Sequence, residues 1–208
     1  AVLVHERLMA TEFLTGEIPV PEEGSVLADS YAYERGESRA DVLSRLQLAL
    51  DEELAALWAA RSSDTAVDTP EEAIILASIV EKETAEPSER PLIAGVYSNR
   101  LRTGMRLQAD PTIIYPITQG RALGRRIRRS EINARNDYNT YAMAGLPRGP
   151  IANVGREAIE AVLNPAETDA LFFVADGTGG HVFAESYSEH RENVERWYDL
   201  RRQRGEMD

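Results

Sequence analysis

Thr69-Pro-Glu-Glu-Ala-Ile-Ile-Leu-Ala-Ser-Ile-Val-Glu-Lys-Glu-Thr84 is the stretch of the sequence that decides the fold. Thr69 can cap a helix, Pro70 suits the first helical position, and Glu72 completes a Ser/Thr-x-x-Glu capping box. We expect a helix over residues 70–85 that stops before the next proline, because proline disfavours helical backbone in the residue preceding it.

This helix ends in Glu81-Lys82-Glu83, whose two carboxyl groups lie on different surfaces. Glu83 shares its face with apolar residues three, four and seven positions earlier, whereas Glu81 lies above the smaller and more polar Ala77 and Ser78. Desolvation on an apolar stripe and the carbonyl groups at a helix C-terminus both raise a carboxyl pKa toward that of a general acid. Spacing alone leaves an alternative open, in which all three charges are solvated on a helix surface.

Apolar spacing and chain-breaking residues predict an α+β fold, with a helical core that carries the candidate acid on a helix and small β-hairpin or sheet elements. We expect amphipathic helices over residues 39–60, 89–102, 156–163 and 187–202, and a hairpin that pairs 171–174 with 181–183. Residues 108–117 are predicted to be extended, residues 120–135 to be an arginine-rich excursion, and residues 138–150 to be a loop. Residues 1–35 are predicted to be a partial or appended region, and 36–208 the main domain.

Charge and composition exclude several classes of protein. The 35 acidic residues outnumber the 23 basic ones and leave a net charge of −12, which argues against nucleic acid as a partner and against electrostatic docking on a membrane. The absence of cysteine excludes disulfides, thiol catalysis and cysteine-ligated zinc. No apolar run is long enough to span a bilayer. Because the chain begins at Ala1 instead of methionine, we expect a membrane anchor or export signal to lie outside it.

Other kinds of site are weakly supported. His5, His181 and His190 are scattered without metal-ligand spacing, so we expect no metal and interpret them as surface or structural residues. Asp176-Gly-Thr-Gly-Gly180 is typical of a hairpin turn, since neither a lysine nor a helix follows it as in a phosphate-binding loop. A local cluster of arginines could bind an anionic polymer or form a solvated, salt-bridged face: Arg121, Arg125, Arg126, Arg128, Arg129 and Arg135.

Five segments occur in a fixed order along the chain: Leu76-Ala-Ser-Ile-Val-Glu-Lys-Glu-Thr84, Val96-Tyr-Ser-Asn-Arg-Leu-Arg-Thr-Gly-Met-Arg-Leu-Gln-Ala-Asp-Pro-Thr112, Tyr138-Asn-Thr-Tyr141, Gly145-Leu-Pro-Arg-Gly-Pro-Ile151 and Phe173-Val-Ala-Asp-Gly-Thr-Gly-Gly-His-Val-Phe183. Together they resemble the YceG-like family of endolytic murein transglycosylases. Glu23-Gly-Ser-Val-Leu-Ala-Asp-Ser-Tyr31 is similar to another stretch of that family, with Ala28 and Ser30 as departures. The resemblance covers roughly residues 22–197.

The resemblance implies a lyase that cuts nascent peptidoglycan strands internally, at the β-1,4 bond from N-acetylmuramic acid to N-acetylglucosamine. The C6 hydroxyl of the muramic acid then closes a 1,6-anhydro ring, so no water enters. One acid suffices, because it first protonates the leaving oxygen and then, as a carboxylate, accepts the C6 hydroxyl proton. The second carboxylate of ordinary glycosidases is not needed, since the nucleophile belongs to the substrate.

The family pattern implies that Glu83, the second glutamate of Glu-x-Glu-Thr, is the catalytic acid and base, with Glu81 as an electrostatic or hydrogen-bonding neighbour. Amide, hydroxyl and aromatic side chains suit sugars, so further substrate-binding residues are expected among six residues: Gln108, Asp110, Tyr138, Asn139, Thr140 and Tyr141. Turn formation at Asp110-Pro111 and core packing of Tyr141 remain alternatives.

The resemblance also implies the cellular context. Peptidoglycan glycan strands and the cell-wall synthesis machinery are the expected partners, and no cofactor is expected. The expected location is the periplasmic face of the inner (cytoplasmic) membrane, through an anchor absent from this sequence. In the family, a membrane-spanning helix and a small LysM-like subdomain precede the catalytic domain. Residues 1–35 are therefore interpreted as a partial linker or a remnant of the LysM-like region.

Two other functions remain open from the sequence. One is a hydrolase in which Glu83 and Asp110 together activate water. The other is a glycan-binding module without turnover.

Overall fold

A computed structural model describes residues 1–206, which form eight α-helices and one two-stranded antiparallel sheet. The helices are α1 (Val2–Ala10), α2 (Arg39–Ala59), α3 (Pro70–Glu83), α4 (Arg90–Arg102), α5 (Asp110–Thr118), α6 (Arg129–Ile132), α7 (Arg156–Leu163) and α8 (Tyr187–Gln203). The strands are β1 (Phe172–Ala175) and β2 (His181–Ala184), paired so that Phe173 faces Phe183. The expected α+β class is confirmed.

Helix α3 forms the centre of the core. Thr69 caps it by accepting a hydrogen bond from the Glu72 N–H at 3.2 Å, as the capping box predicts. Its last turns are so completely enclosed that Leu76, Ile79 and Val80 have no exposed surface. Neighbouring parts of the chain therefore enclose α3 on most of its sides. Glu83, the last residue of the helix, lies at the edge of the core.

Helices α4 and α7 pack on α3 and on each other. The α4–α7 side depends on Gly95, because a Cβ atom there would lie 2.6 Å from the Ala166 carbonyl oxygen and 2.9 Å from Thr168 Cγ2. The Asn99 side chain donates hydrogen bonds to the carbonyls of Thr168 and Ala170, at 2.7 and 3.1 Å. Helix α4 is thus held against the segment that leads into β1.

The prediction that residues 108–117 are extended is wrong, since α5 occupies Asp110–Thr118. Asp110 and Pro111 start a helix there: an acidic residue suits the first turn, and proline has the backbone angle that a helix requires. The β-branched pair Ile113-Ile114 favours a strand, but helix initiation and packing on α3 override that preference.

Residues 1–35 pack on α2. Leu8, Leu14, Ile18 and Val26 form a second apolar cluster with the first turns of α2. The side chain of Arg39 donates hydrogen bonds to carbonyl oxygens of this segment, including that of Leu8 at 2.8 Å. Whether residue 35 marks a domain boundary stays a prediction.

The arginine cluster is partly neutralised. Arg125 pairs with Glu131, and Arg121 pairs with Glu6. Across residues 1–206, no helix combines the length and the apolar character needed to cross a membrane.

We predict that Gly95→Ala lowers the free energy of unfolding by about 1–3 kcal/mol, because the added methyl group meets backbone atoms that cannot move independently. The better helix propensity of alanine opposes this loss by only about 1 kcal/mol. Urea unfolding followed by circular dichroism measures the change. Gly149→Ala is the matched control, since its Cβ would meet only the Tyr138 hydroxyl at 3.5 Å. A stabilised Gly95→Ala variant would contradict the close approach of α4 to residues 166–168.

Candidate active site

A cavity of about 350 Å³ lies where the C-terminus of α3, helix α4, the start of α5 and the hairpin meet. One part of its lining is polar: Glu83, Tyr97, Arg100, Gln108, Asp110 and Tyr141. The rest of the lining is mostly aromatic: Phe172, Phe173, His181, Tyr187 and His190. A lining that combines polar groups with aromatic rings is expected of a sugar-binding site.

Glu83 is the acidic residue at the end of α3, and it is partly buried. The Tyr97 hydroxyl donates a hydrogen bond of 2.6 Å to its Oε1 atom. The pKa of Glu83 is raised to about 7. Burial is the main cause, and the hydrogen bond from Tyr97 lowers the pKa but does not offset the burial. The charge of Asp110 raises this pKa further, and that of Arg100 lowers it. Near neutral pH, Glu83 can therefore both donate and accept a proton.

Tyr97 and Arg100 are site residues that sequence reasoning missed. They lie one turn apart on α4 and are 1% and 7% exposed. The Arg100 guanidinium donates hydrogen bonds to the carbonyl oxygens of Leu171, at 2.7 Å, and Leu107, at 2.5 Å. These bonds hold a cation in the cavity wall, and none of the described carboxylates forms an ion pair with it. A tyrosine and an arginine at i and i+3 in an otherwise apolar helix face were the available signal.

Gln108, Asp110 and Tyr141 are brought together with Glu83, although they come from two distant segments. The Tyr141 hydroxyl donates a 2.6 Å hydrogen bond to Asp110 Oδ1. Gln108 has a positive φ of 50°, a left-handed conformation that is unusual for a residue with a side chain. This strained position turns the chain into α5 at the cavity edge.

Asn139 and Thr140 do not line the cavity, since both are fully buried. The Asn139 amide donates to the carbonyls of Ile132 and Ala134, and its oxygen accepts from the Tyr141 N–H at 2.9 Å. The Thr140 hydroxyl accepts from the Ala109 N–H at 3.0 Å and bonds the Thr112 hydroxyl at 2.8 Å. These two side chains hold the loops that carry Gln108 and Tyr141.

Tyr138 and Glu81 also lie outside the cavity lining. The Tyr138 ring packs on Tyr115, with centroids 5.0 Å apart. The Glu81 carboxylate accepts from the Gly155 N–H at 3.2 Å and lies 3.5 Å from the Arg90 guanidinium. Glu81 therefore joins α3 to the starts of α4 and α7.

Two of the three histidines line the cavity, although all three were interpreted from the sequence as surface or structural residues. His5 bonds the Ile18 carbonyl outside the cavity, whereas His181 and His190 line it. His190 stacks on Phe172 with ring centroids 5.2 Å apart. Within residues 1–206, no three His, Asp or Glu side chains come together as potential metal ligands.

Comparisons with known proteins agree on one family. The model of the YceG-like family matches residues 4–196. An endolytic murein transglycosylase of Bacillus subtilis is 38% identical over 124 residues, which cover 60% of this chain and 34% of that protein. Its namesake from Streptococcus pneumoniae is 34% identical over 178 residues, or 83% of this chain and 31% of that protein. The chain thus spans about a third of the length of these relatives.

A solved structure has the same fold. The crystal structure of a yceG-like protein from Listeria monocytogenes aligns with a TM-score of 0.65 at 27% identity, covering 89% of this chain and 58% of that one.

The raised pKa of Glu83 predicts a pH-dependent stability. Between its ordinary value of 4.5 and about 7, the folded protein keeps a proton that the unfolded chain has lost, so the free energy of unfolding falls as pH rises. The substitution Glu83→Gln removes the carboxyl group, and with it this fall in the free energy of unfolding. We expect the stability of the variant relative to wild type to increase by on the order of 2–3 kcal/mol from pH 4.5 to 7.5.

Urea unfolding at several pH values measures this difference. Glu71→Gln, an exposed position in the first turn of α3, controls for the removal of one carboxylate. A difference between Glu83→Gln and wild type that stays constant with pH would contradict a buried, proton-holding Glu83.

Proposed function

Because the chain belongs to the YceG-like family, we propose that it is a lytic transglycosylase that cuts peptidoglycan glycan strands internally. The observation that carries the proposal is Glu83: a partly buried carboxyl group with a pKa of about 7 at the edge of a polar and aromatic cavity. The curated relatives from B. subtilis and S. pneumoniae, both named endolytic murein transglycosylase, support the same activity.

In the proposed mechanism, protonated Glu83 donates its proton to the glycosidic oxygen between N-acetylmuramic acid and N-acetylglucosamine. The resulting carboxylate accepts the proton of the muramic acid C6 hydroxyl as that oxygen closes the 1,6-anhydro ring. The Tyr97 hydrogen bond stabilises the carboxylate form, and the nearby Arg100 charge acts in the same direction. Burial favours the protonated form, so both halves of the reaction are accessible to one group.

Among the predicted substrate-binding residues, we propose direct sugar contacts for Gln108, Asp110 and Tyr141, because their side chains line the cavity. Asn139 and Thr140 would act through these residues by holding their loops. Tyr138 would act through its packing on Tyr115. Glu81 would act by connecting α3 to the starts of α4 and α7.

A two-carboxylate hydrolase is the second candidate, because Asp110 lines the same cavity as Glu83. The Tyr141 hydroxyl already donates to Asp110 Oδ1, so this oxygen is occupied and would have to give up that bond to take a proton from water. The products separate the two reactions, since hydrolysis gives reducing ends one water heavier than anhydro ends.

The proposed substrate places the chain in the cell envelope. An anchor at the periplasmic face of the cytoplasmic membrane and an association with cell-wall synthesis enzymes remain predictions from the family resemblance.

We predict that Glu83→Gln abolishes the formation of 1,6-anhydro ends while the fold is kept, because glutamine can neither donate nor accept the proton. Purified uncrosslinked glycan strands are incubated with each protein, and their end groups are identified by mass spectrometry. Glu81→Gln is the comparison two residues away, and we expect it to retain turnover, since Glu81 lies outside the cavity. Anhydro ends formed by Glu83→Gln would overturn its role, and strands unshortened by wild type would favour a binding module.

The pH profile should follow the pKa of Glu83. Because the first step needs the protonated form, we expect the wild-type rate on glycan strands to fall as pH rises through about 7. Tyr97→Phe removes a hydrogen bond that lowers this pKa, so the fall should move to higher pH. Asp110→Asn removes a negative charge that raises it, so the fall should move to lower pH. Shifts of both variants in the same direction would contradict Glu83 as the titrating group.

A further inference from the structure

The carboxylate of Glu89, in the turn between α3 and α4, makes three hydrogen bonds. Its Oε1 atom accepts from the His181 backbone N–H at 2.6 Å, and its Oε2 atom lies 2.7 Å from His181 Nδ1. The Thr84 hydroxyl, next to Glu83 in the chain, donates to Oε2 at 3.0 Å. One side chain thus joins the end of the helix that carries Glu83 to the start of β2.

The hairpin turn is shaped to admit this carboxylate. A Cβ atom at Gly180 would lie 2.8 Å from Glu89 Oε1, so a larger residue there would displace Glu89. Asp176 accepts hydrogen bonds from the N–H groups of Thr178 and Gly180, at 2.6 and 3.2 Å, and these define the turn. The glycine-containing turn therefore allows His181 to lie against Glu89.

These contacts determine which ring nitrogen of His181 carries the proton. Burial opposes ionisation of Glu89, but the hydrogen bonds from His181 and Thr84 outweigh it and lower the pKa of Glu89. An ionised carboxylate needs a donor, so the Nδ1 atom carries the hydrogen in this bond, and in that tautomer the Nε2 atom presents a lone pair. Within residues 1–206 the Nε2 atom has no hydrogen-bond partner and retains solvent access, while the ring lines the cavity with Glu83.

We propose that His181 contacts the substrate directly and that Glu89 is its positioning residue. The Nε2 atom of His181 accepts a hydrogen bond from a hydroxyl or acetamido N–H group of the sugar bound in the cavity. Sugars with N-acetyl groups carry many such donors, and Asp110, another acceptor in the cavity lining, has its Oδ1 atom engaged by Tyr141. The identity of the ligand rests on the function proposed above, whereas the geometry of Glu89 and His181 does not.

Two substitutions separate substrate contact from a purely structural role. His181→Asn keeps an N–H donor near the Nδ1 position, so the bond to Glu89 can persist, but it removes the acceptor at Nε2. His181→Gln keeps a polar group near the Nε2 position and loses the Nδ1 donor. We expect His181→Asn to keep a near-wild-type melting temperature, and His181→Gln to be less stable but to recover part of the substrate affinity.

The measurement is the affinity for purified uncrosslinked glycan strands, with Glu83→Gln as the background so that the strands stay intact. We expect His181→Asn to weaken binding about tenfold, the loss of one hydrogen bond to substrate. His5→Asn is the control, because His5 lies outside the cavity. In the active protein, His181→Asn should lower kcat/KM by a similar factor.

The tautomer provides an independent spectroscopic readout. The ¹⁵N chemical shifts of His181 should show a protonated Nδ1 and an unprotonated Nε2 in wild type. Glu89→Gln should populate the other tautomer, because the glutamine amide can donate to Nδ1, and should weaken binding as well.

The possible failures are distinguishable. Unchanged affinity and kcat/KM in His181→Asn, with wild type active, would overturn the role of His181 and leave the proposed function intact. A wild-type chain that neither binds nor shortens the strands would overturn the proposed function and the inferred ligand with it. A protonated Nε2 in wild type would overturn the proposed hydrogen-bond geometry.

Discussion

The rest of the site depends on the hydrogen bond between Tyr97 and Glu83. It joins the last residue of α3 to a fully buried ring on α4. The same ring meets Phe173 of β1 edge-on, with centroids 5.8 Å apart, so the hairpin is positioned by the same contact. Packing of α3, α4 and β1 thus fixes the environment of one carboxyl group.

That environment balances opposing effects on the Glu83 pKa. Burial and Asp110 favour the protonated acid, while Tyr97 and Arg100 favour the carboxylate, and the result lies near 7. Arg100 can act in this way because its guanidinium is held by hydrogen bonds to the backbone carbonyls of Leu171 and Leu107. A single group with both protonation states accessible suits a reaction in which one residue donates and then accepts a proton.

The polar residues of the sequence segments fall into two groups that sequence cannot separate. Gln108, Asp110 and Tyr141 reach the cavity, whereas Asn139 and Thr140 are fully buried beneath them and bond to backbone groups. Both groups are polar, closely spaced and located in loops or at the start of α5. Their difference is burial, and a buried polar side chain needs partners within the protein, which only the folded chain supplies.

Local chemistry in the sequence determined the helices at α2, α3, α4, α7 and α8 and the hairpin, because caps, apolar spacing and turn residues act over a few neighbours. The choice of Glu83 as the candidate acid came from the family resemblance, and the apolar face that Glu83 shares on α3 agreed with it. The tertiary structure decided that residues 110–118 are helical and that Tyr97, Arg100 and His181 join Glu83 in one cavity. These outcomes depend on how α4, α5 and the hairpin pack against α3. Contacts between residues far apart in the chain are set by that packing and leave no periodic signal in the sequence.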